Sequence, residues 1–240
     1  MRLDKFLASQ GFGSRSEVRS LVKSGAVLVN GRKADDPGIS VDEHADKIEC
    51  RGRTVDYRQY VYVMMNKPAG VLSGGGGAPY DKTAAMLLPP EYSKFDLSPA
   101  GRLDKDSEGL LILTNDGGFI HDTISPSKKV GKKYYIKTAG TLDQADAEAF
   151  AAGMVLCDGT KLRPAGLEIL NAENGSSEAI VTISEGQYHQ VKRMVLSRGK
   201  KVTCLKRLSI GALSLDGTLP PGGFRELTEE ERKLIRGENL

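Results

Sequence analysis

The stretch from residue 99 to residue 111 places several charged side chains directly before an apolar run. The acids Asp104, Asp106 and Glu108 stand close together in the chain, next to Arg102. A carboxylate held in such a loop can act as the nucleophile of covalent catalysis, as it does in glycosidases. A solvated turn or a structural ion pair uses the same residue types, so the loop by itself leaves all three interpretations open.

Other residue types that carry chemistry are scattered along the chain. The three cysteines are odd in number and lack the spacing of a zinc site or a disulfide framework, which fits a reducing cytoplasm. The three histidines are equally far apart, and no glycine-rich nucleotide-binding motif follows a predicted strand. We therefore expect neither a metal nor a cofactor. These cysteines and histidines are Cys50, Cys157, Cys204, His44, His121 and His189.

The 240 residues carry a net charge of +3, and its placement is uneven. Residues 1–33 hold seven basic side chains against two acidic ones, a balance of +5. Such a module can bind a polyanion, or it can simply be a solvated charged face. No apolar run is long enough to span a membrane, and the N-terminus lacks the apolar core of a signal peptide. The basic residues are Arg2, Lys5, Arg15, Arg19, Lys23, Arg32 and Lys33.

Short elements fill this basic N-terminal part. Leu3, Phe6 and Leu7 recur at helical spacing, and a second helix begins at residues 14–17 (Ser-Arg-Ser-Glu), a capping-box pattern. Residues 26–29 predict a strand that ends at Asn-Gly, a strong two-residue hairpin signal. This helix–helix–hairpin order resembles the S4 RNA-binding domain over roughly residues 1–48. The resemblance implies a surface that contacts phosphate without reading sequence, lined by Arg15, Arg19, Lys23, Arg32 and Lys33. We expect Arg2 and Lys5 to bind RNA as well.

The remaining chain must position the charged loop. Strands are predicted at 61–65, 110–114, 133–137, 179–183 and 200–205, with turns at 66–70 and 115–117. Helices are predicted at 143–152 and 188–197, and a last one begins at 228. Many strands with few helices between them indicate an α+β body on a mixed, largely antiparallel sheet. We place the boundary between a domain of residues 1–58 and a domain of residues 59–240.

Four segments of this second part resemble the pseudouridine synthases of the ribosomal small-subunit group. They occur in the family's order and span residues 61–235. The segments are 66–70 (Asn-Lys-Pro-Ala-Gly); 101–104 (Gly-Arg-Leu-Asp) with 107–111 and 114–117; 132–134 (Lys-Lys-Tyr); and 185–194 (Glu-Gly-Gln-Tyr-His-Gln-Val-Lys-Arg-Met) with 205–207 and 210–211.

The resemblance implies an enzyme that detaches the base of a uridine, turns it over and rejoins it through C5. The target nucleotide must be flipped out of the RNA to reach a pocket. Asp104 occupies the family's nucleophile position, and the family supplies a nearby cation that keeps it ionised. Lys192 aligns with that cation and Arg193 is its neighbour. The sequence does not choose between them, because adjacent helical residues point about 100° apart and only one can face the aspartate.

The family also gives expectations for other side chains. Tyr134 matches the active-site tyrosine that stacks on the flipped uracil, whereas Tyr135 is expected to pack in the core from the opposite face of the strand. Arg102 is expected to contact phosphates or to fill the vacated stack, with a structural ion pair as the alternative. Asp106 is interpreted as structural.

The expected substrate is one specific uridine of 16S ribosomal RNA, free or in an assembling small-subunit particle, acted on by a monomer. A 23S ribosomal RNA uridine is the closest alternative. A non-catalytic RNA-binding factor of ribosome assembly is a further one, although it would have no need for an acid at Asp104. A glycosidase would require a second acid as proton donor.

Overall fold

Two separately packed units make up the chain. The computed structural model describes residues 1–75, 78 and 80–236. The first unit comprises residues 1–61 together with residues 90–96, and the second comprises residues 62–89 together with residues 97–240. The sequence predicted two continuous domains that meet between residues 58 and 59, and this boundary stays a prediction.

The first unit consists of two short helices and a small antiparallel sheet. The helices are α1 (Leu3–Ser9) and α2 (Arg15–Lys23). The strands are β1 (Val27–Val29), β2 (Arg32–Lys33), β3 (Ile48–Cys50) and β4 (Arg53–Thr54), in the order β2-β1-β3-β4. Apolar residues of both helices pack onto the sheet, and this burial stabilises the unit. The cluster contains Leu3, Phe6, Leu7, Val18, Val22, Val27 and Ile48.

Local signals in the sequence account for the first unit. The Ser14 amide donates to the Glu17 carboxylate at 2.6 Å and the Glu17 amide donates to Ser14 Oγ, so the predicted capping box is confirmed. Between β1 and β2, Asn30 and Gly31 both have positive φ angles, of 52° and 77°. This is the conformation that a two-residue hairpin of type I′ requires, and it explains why Asn-Gly stands there.

The second unit is built on a nine-stranded sheet with the path β11-β12-β8-β13-β7-β5-β15. Strand β13 runs parallel to β7, while the other pairings are antiparallel, so the expected α+β class with a mixed, largely antiparallel sheet is confirmed. Strands β6 and β14 pair with β7 and β13 beside this path, and β9 pairs with β10 separately. The strands are β5 (Tyr62–Lys67), β6 (Ser98–Pro99), β7 (Glu108–Thr114), β8 (Lys132–Ala139), β9 (Met154–Val155), β10 (Lys161–Leu162), β11 (Gly166–Glu173), β12 (Ser176–Ile183), β13 (Lys201–Ile210), β14 (Leu213–Ser214) and β15 (Phe224–Glu226).

The sheet of the second unit is flanked by helices. They are α3 (Gly117–Ile124), α4 (Gln144–Ala152), α5 (Gln190–Ser197) and α6 (Glu229–Arg236), with a short 3-10 helix at Ala84–Leu87. Strand β5 is buried along its whole length and β7 nearly so, as central strands covered on both faces should be. Strand β8 alternates between buried and exposed positions, so its side chains at 132, 134, 136 and 138 share the inner face.

Two local predictions in the second unit are wrong, and one long strand was missed. Residues 115–117 do not form a turn: Asp116 caps α3, accepting a hydrogen bond from the Phe119 amide at 3.0 Å. Strand β5 continues through Lys67 instead of ending before a turn at 66. Strand β11 was not predicted, because it is an edge strand with mostly exposed positions and therefore lacks a strong apolar alternation.

Candidate active site

Asp104 lies on the loop that joins β6 to β7, and a buried arginine fixes the start of that loop. Arg207, on β13, is only 1% exposed. Its guanidinium donates to the main-chain oxygens of Gly101 and Leu110, each at 2.8 Å, and to that of Arg102 at 3.4 Å. Five donors in a rigid fork allow one arginine to satisfy several carbonyls at once. Arg207 therefore holds the main chain of the loop through carbonyl oxygens, and among the described residues it pairs with no carboxylate.

A buried lysine fixes the other end of the same loop. Lys67, at the end of β5, donates to the main-chain oxygens of Ser107 at 2.7 Å and Lys105 at 3.3 Å. Burial lowers the pKa of Lys67 to about 8. Between the two cations, the hydroxyl of Ser73 exchanges hydrogen bonds with the amide and carbonyl of Leu103, at 2.8 and 2.7 Å. The main chain is thus held on both sides of Asp104.

Gly109 allows β7 to approach β13 just after the loop. A Cβ at this position would lie 2.3 Å from the carbonyl oxygen of Arg207, closer than a real side chain can come. Its φ of 98° is also a conformation that other residues rarely adopt. Glycine at 109 therefore allows the parallel strands β7 and β13 to pair closely. This pairing also fixes the position of the backbone that carries Arg207.

Two side chains contact the Asp104 carboxylate, one on each oxygen. Lys192 Nζ lies 2.8 Å from Oδ2, and His189 Nε2 lies 3.2 Å from Oδ1. Lys192 also donates to Asp106 at 2.6 Å. Burial alone would lower the pKa of Lys192, but its bonds to Asp104 and Asp106 outweigh this effect and raise it. The hydrogen bond from Lys192 in turn lowers the pKa of Asp106, which is 74% exposed.

Arg193 points away from this carboxylate. Its guanidinium pairs with Asp158 and donates to the main-chain oxygen of Tyr188 at 3.3 Å. Both residues lie on α5, where successive side chains diverge by about 100°. The structure therefore brings Lys192, and not Arg193, to Asp104.

A cavity of about 590 Å³ opens beside Asp104. This volume lies in the range of ligand-binding pockets. Tyr134 lines it and is 7% exposed, whereas Tyr135 is half-buried on the opposite face near Lys137. The expectation that Tyr135 is the core-packed tyrosine is therefore wrong.

Cationic side chains also line this cavity. Lys132 is buried there and donates to the Val130 carbonyl at 3.1 Å; burial, with a smaller effect of the charge on Arg207, lowers its pKa to about 8. Arg102 is exposed at the rim, and its side chain forms no ion pair with the described residues. The cavity thus offers a carboxyl group paired with a lysine, an aromatic wall and a positive lining, which suit a nucleotide.

Comparison with known proteins identifies the family of this chain. The family model described as RNA pseudouridylate synthase matches residues 61–197, more than half of the chain, and the S4 domain model matches residues 1–46. The chain belongs to the RNA pseudouridylate synthase family. It is therefore an isomerase with an N-terminal S4 RNA-binding domain, and both resemblances found in the sequence are confirmed.

Similar proteins extend over nearly the full length of this pseudouridine synthase. An uncharacterised RNA pseudouridine synthase of Bacillus subtilis is 46% identical over 98% of both chains. A protein of Vibrio vulnificus named ribosomal small subunit pseudouridine synthase A is 40% identical, covering 96% of this chain and 97% of its own. A crystal structure of a pseudouridylate synthase matches with a TM-score of 0.68 at 32% identity, covering 98% of this chain and 99% of the other.

The S4 domain exposes all seven basic residues that the sequence singled out. Arg2 and Arg19 both pair with Asp4, at 3.1 and 3.4 Å, and Asp4 is only 2% exposed. The other five form no ion pair with the described residues and so leave their charges to solvent: Lys5, Arg15, Lys23, Arg32 and Lys33. Their role in binding RNA stays a prediction.

Several residues of the candidate active site were not singled out from the sequence. Lys67, Arg207 and His189 lie inside the quoted family segments, but nothing local to them indicates which would contact the Asp104 loop or carboxylate. Ser107 is fully buried, lines the inner end of the site, and its hydroxyl has no hydrogen-bond partner among the described residues. A buried, partnerless hydroxyl is recognisable only in three dimensions.

Metal-ligating side chains do not gather in groups of three or more anywhere in the part of the chain that the structure describes. Within the same residues, none of the helices combines the length and apolar character needed to cross a bilayer.

Proposed function

We propose that this enzyme converts one uridine of 16S ribosomal RNA to pseudouridine and that Asp104 is its nucleophile. The observation that carries the proposal is the Asp104 carboxylate beside a nucleotide-sized cavity, with Lys192 on one oxygen and Tyr134 in the wall. Relatives along the full chain named for the ribosomal small subunit support the choice of RNA. Such a substrate would place the enzyme in the cytoplasm.

In the proposed reaction, the flipped uridine enters the cavity with its sugar towards Asp104. The carboxylate attacks C1′ as the bond from C1′ to N1 breaks, and the freed uracil takes up a proton at N1. After the base rotates, C5 attacks C1′, the carboxylate leaves, and C5 releases its proton to solvent. Atoms and electrons balance without a redox partner, so the reaction is an isomerisation.

The neighbouring side chains have separable proposed roles. Lys192 keeps Asp104 ionised and oriented in a partly desolvated site, since a cation close to a carboxylate favours its charged form. Tyr134 stacks on the uracil. Arg102, which the structure leaves exposed at the rim, contacts the phosphates beside the flipped nucleotide or fills the gap that it leaves. The exposed basic residues of the S4 domain contact phosphate elsewhere on the RNA and set the register of binding.

The direct test is incubation of the purified enzyme with 16S and 23S ribosomal RNA, free and as precursor particles, followed by mapping of pseudouridine. We expect one site in 16S RNA, and the same site to lack pseudouridine in a strain without this protein. Modification of 23S RNA alone would refute the assigned substrate. Absence of pseudouridine in every RNA would refute the activity.

Asp104→Asn and Asp106→Asn form a matched pair for the nucleophile, because both carboxylates bind Lys192 and stand two residues apart. Asp104→Asn should abolish turnover, whereas Asp106→Asn should retain most of it. Full turnover in Asp104→Asn would show that another group attacks the sugar.

A further inference from the structure

Two aromatic rings form a stack that leads from Asp104 to solvent. The rings of Tyr188 and His189 have centroids 3.8 Å apart and planes only 17° apart. His189 contacts Asp104, and both rings line the cavity. Tyr188 is nevertheless 75% exposed. One face of the tyrosine ring is therefore covered by His189, and the other is turned to solvent at the mouth of the cavity.

The backbone beneath this pair has an unusual conformation. His189 caps the N-terminus of α5 in the left-handed region, with φ of 49°. Three of the other non-glycine residues with positive φ, namely Asn30, Arg51 and Asn174, each precede a glycine in a hairpin turn, but His189 does not. Residues held in this region cluster at functional sites, where the surrounding structure enforces them.

Hydrogen bonds of buried side chains enforce the conformation here. Gln190 accepts from the Gln187 amide and donates to Glu185, each at 3.0 Å, and Glu185 accepts from the Arg163 amide at 2.9 Å. Gln190 and Glu185 are 4% and 6% exposed. The exposed ring of Tyr188 thus stands on a rigid support, so a ligand that stacks on it would not have to order it first.

We propose that Tyr188 is a base-stacking residue, which takes the nucleobase next to the flipped uridine onto its free face. The inference rests on the proposed function, since it requires a flipped uridine in the cavity. A base beside a flipped nucleotide has lost a stacking neighbour, and an aromatic ring at the mouth of the cavity replaces that neighbour. Stacking on an aromatic ring accepts any base, so the ring contributes affinity at this position without selecting sequence.

Tyr188→Leu removes the ring, Tyr188→Phe keeps it, and Leu196→Ala is the control because Leu196 is an exposed apolar residue of α5 that does not line the cavity. The substrate is the 16S RNA fragment that contains the target uridine. On this fragment, Tyr188→Leu should raise KM about 5- to 150-fold, which corresponds to roughly 1–3 kcal/mol of stacking. The rate at saturating RNA should change little. Tyr188→Phe and Leu196→Ala should match wild type. An equal rise of KM in Tyr188→Phe, or a fall of kcat alone in Tyr188→Leu, would overturn the proposal.

A second measurement needs no catalysis. A uridine-containing 16S RNA hairpin with 2-aminopurine next to the uridine is titrated with Asp104→Asn protein, and with the same protein that also carries Tyr188→Leu. Stacking should quench the fluorophore only where the tyrosine is present; equal quenching in both proteins would overturn the proposal. If wild type forms no pseudouridine in any RNA, the proposed function fails, and this titration still decides whether Tyr188 stacks on a base.

Discussion

Lys192→Met is the substitution that most directly tests the charge arrangement of the site. Methionine keeps most of the length of the side chain and removes its charge. Asp104 and Asp106 would then face each other without the cation that lies 2.8 and 2.6 Å from them. The pKa of Asp106 should rise as a result, because its hydrogen bond with Lys192 lowers it in the wild type, and Asp104 loses the cation that balances its charge.

The size of the effect follows from the contacts of Lys192. A hydrogen bond between charged groups contributes about 1.5–3 kcal/mol. The side chains of Lys192 and Asp104 are 24% and 27% exposed, so solvent screens the pair only in part. If the loss falls on the carboxylate that we propose as the nucleophile, the rate of the chemical step should drop about 10- to 150-fold.

Single-turnover kinetics on RNA that carries tritium at uridine C5 isolate this step, because the proposed reaction releases that hydrogen to solvent. The rate should be measured from pH 5 to pH 9, and Lys192→Met should be slower than wild type across this range. Arg193→Met is the matched control, since the neighbouring arginine pairs with Asp158. A larger loss in Arg193→Met than in Lys192→Met, or a wild-type rate in Lys192→Met, would refute the assignment of the cation.

Three further predictions concern stability and RNA binding. Burial lowers the pKa of Lys132 to about 8, so that as pH rises the folded protein loses this proton at a lower pH than the unfolded chain does. Below pH 8 the buried charged amine therefore lowers the free energy of unfolding by about 3 kcal/mol. Lys132→Met should therefore be more resistant to denaturant than wild type below pH 8, with an advantage that shrinks from pH 8 towards about 10.4; an advantage that grows with pH would contradict this. Asp146 is fully buried and holds Arg198 at 2.8 Å, so Asp146→Ala should lower the free energy of unfolding by about 3 kcal/mol in urea titrations, and a loss below 1 kcal/mol, roughly that of a surface pair, would count against it. Replacing Arg15 and Lys23 by Gln should reduce the slope of log affinity against log salt by about 1–2 in RNA titrations, and an unchanged slope would remove them from the phosphate-binding surface.

The elements of the S4 domain could be predicted because their signals are local. The reciprocal bonds of Ser14 and Glu17, and the positive φ angles of Asn30 and Gly31, depend on residues at most three apart in the chain. Asp116 shows the limit of such signals. The same Asn-Asp-Gly sequence suits a turn and a helix cap, and only packing of Phe119 into the core of the second unit favours the helix.

The support of the active site could not be predicted in the same way. Arg207 and Lys67 are residue types that are normally exposed, and both bury their charges against main-chain carbonyls that any sequence provides. The choice between Lys192 and Arg193 likewise depended on how α5 is rotated relative to a loop nearly ninety residues earlier. The residues that we propose to react could be named from their types and from the family, whereas the residues that hold them in place could be found only from the fold.

The bonds from Arg207 and Lys67 to main-chain oxygens have a consequence for how the chemistry of this site can change. Because these cations contact the backbone of the Asp104 loop, its shape does not depend on which side chains stand at Arg102, Asp104 or Lys105. Substitutions there should alter reactivity while the loop keeps its place. The loop should therefore accept different side chains at position 104 with the same backbone. The substitution Asp104→Cys, for example, would place a thiol there that could react with an electrophilic uridine analogue.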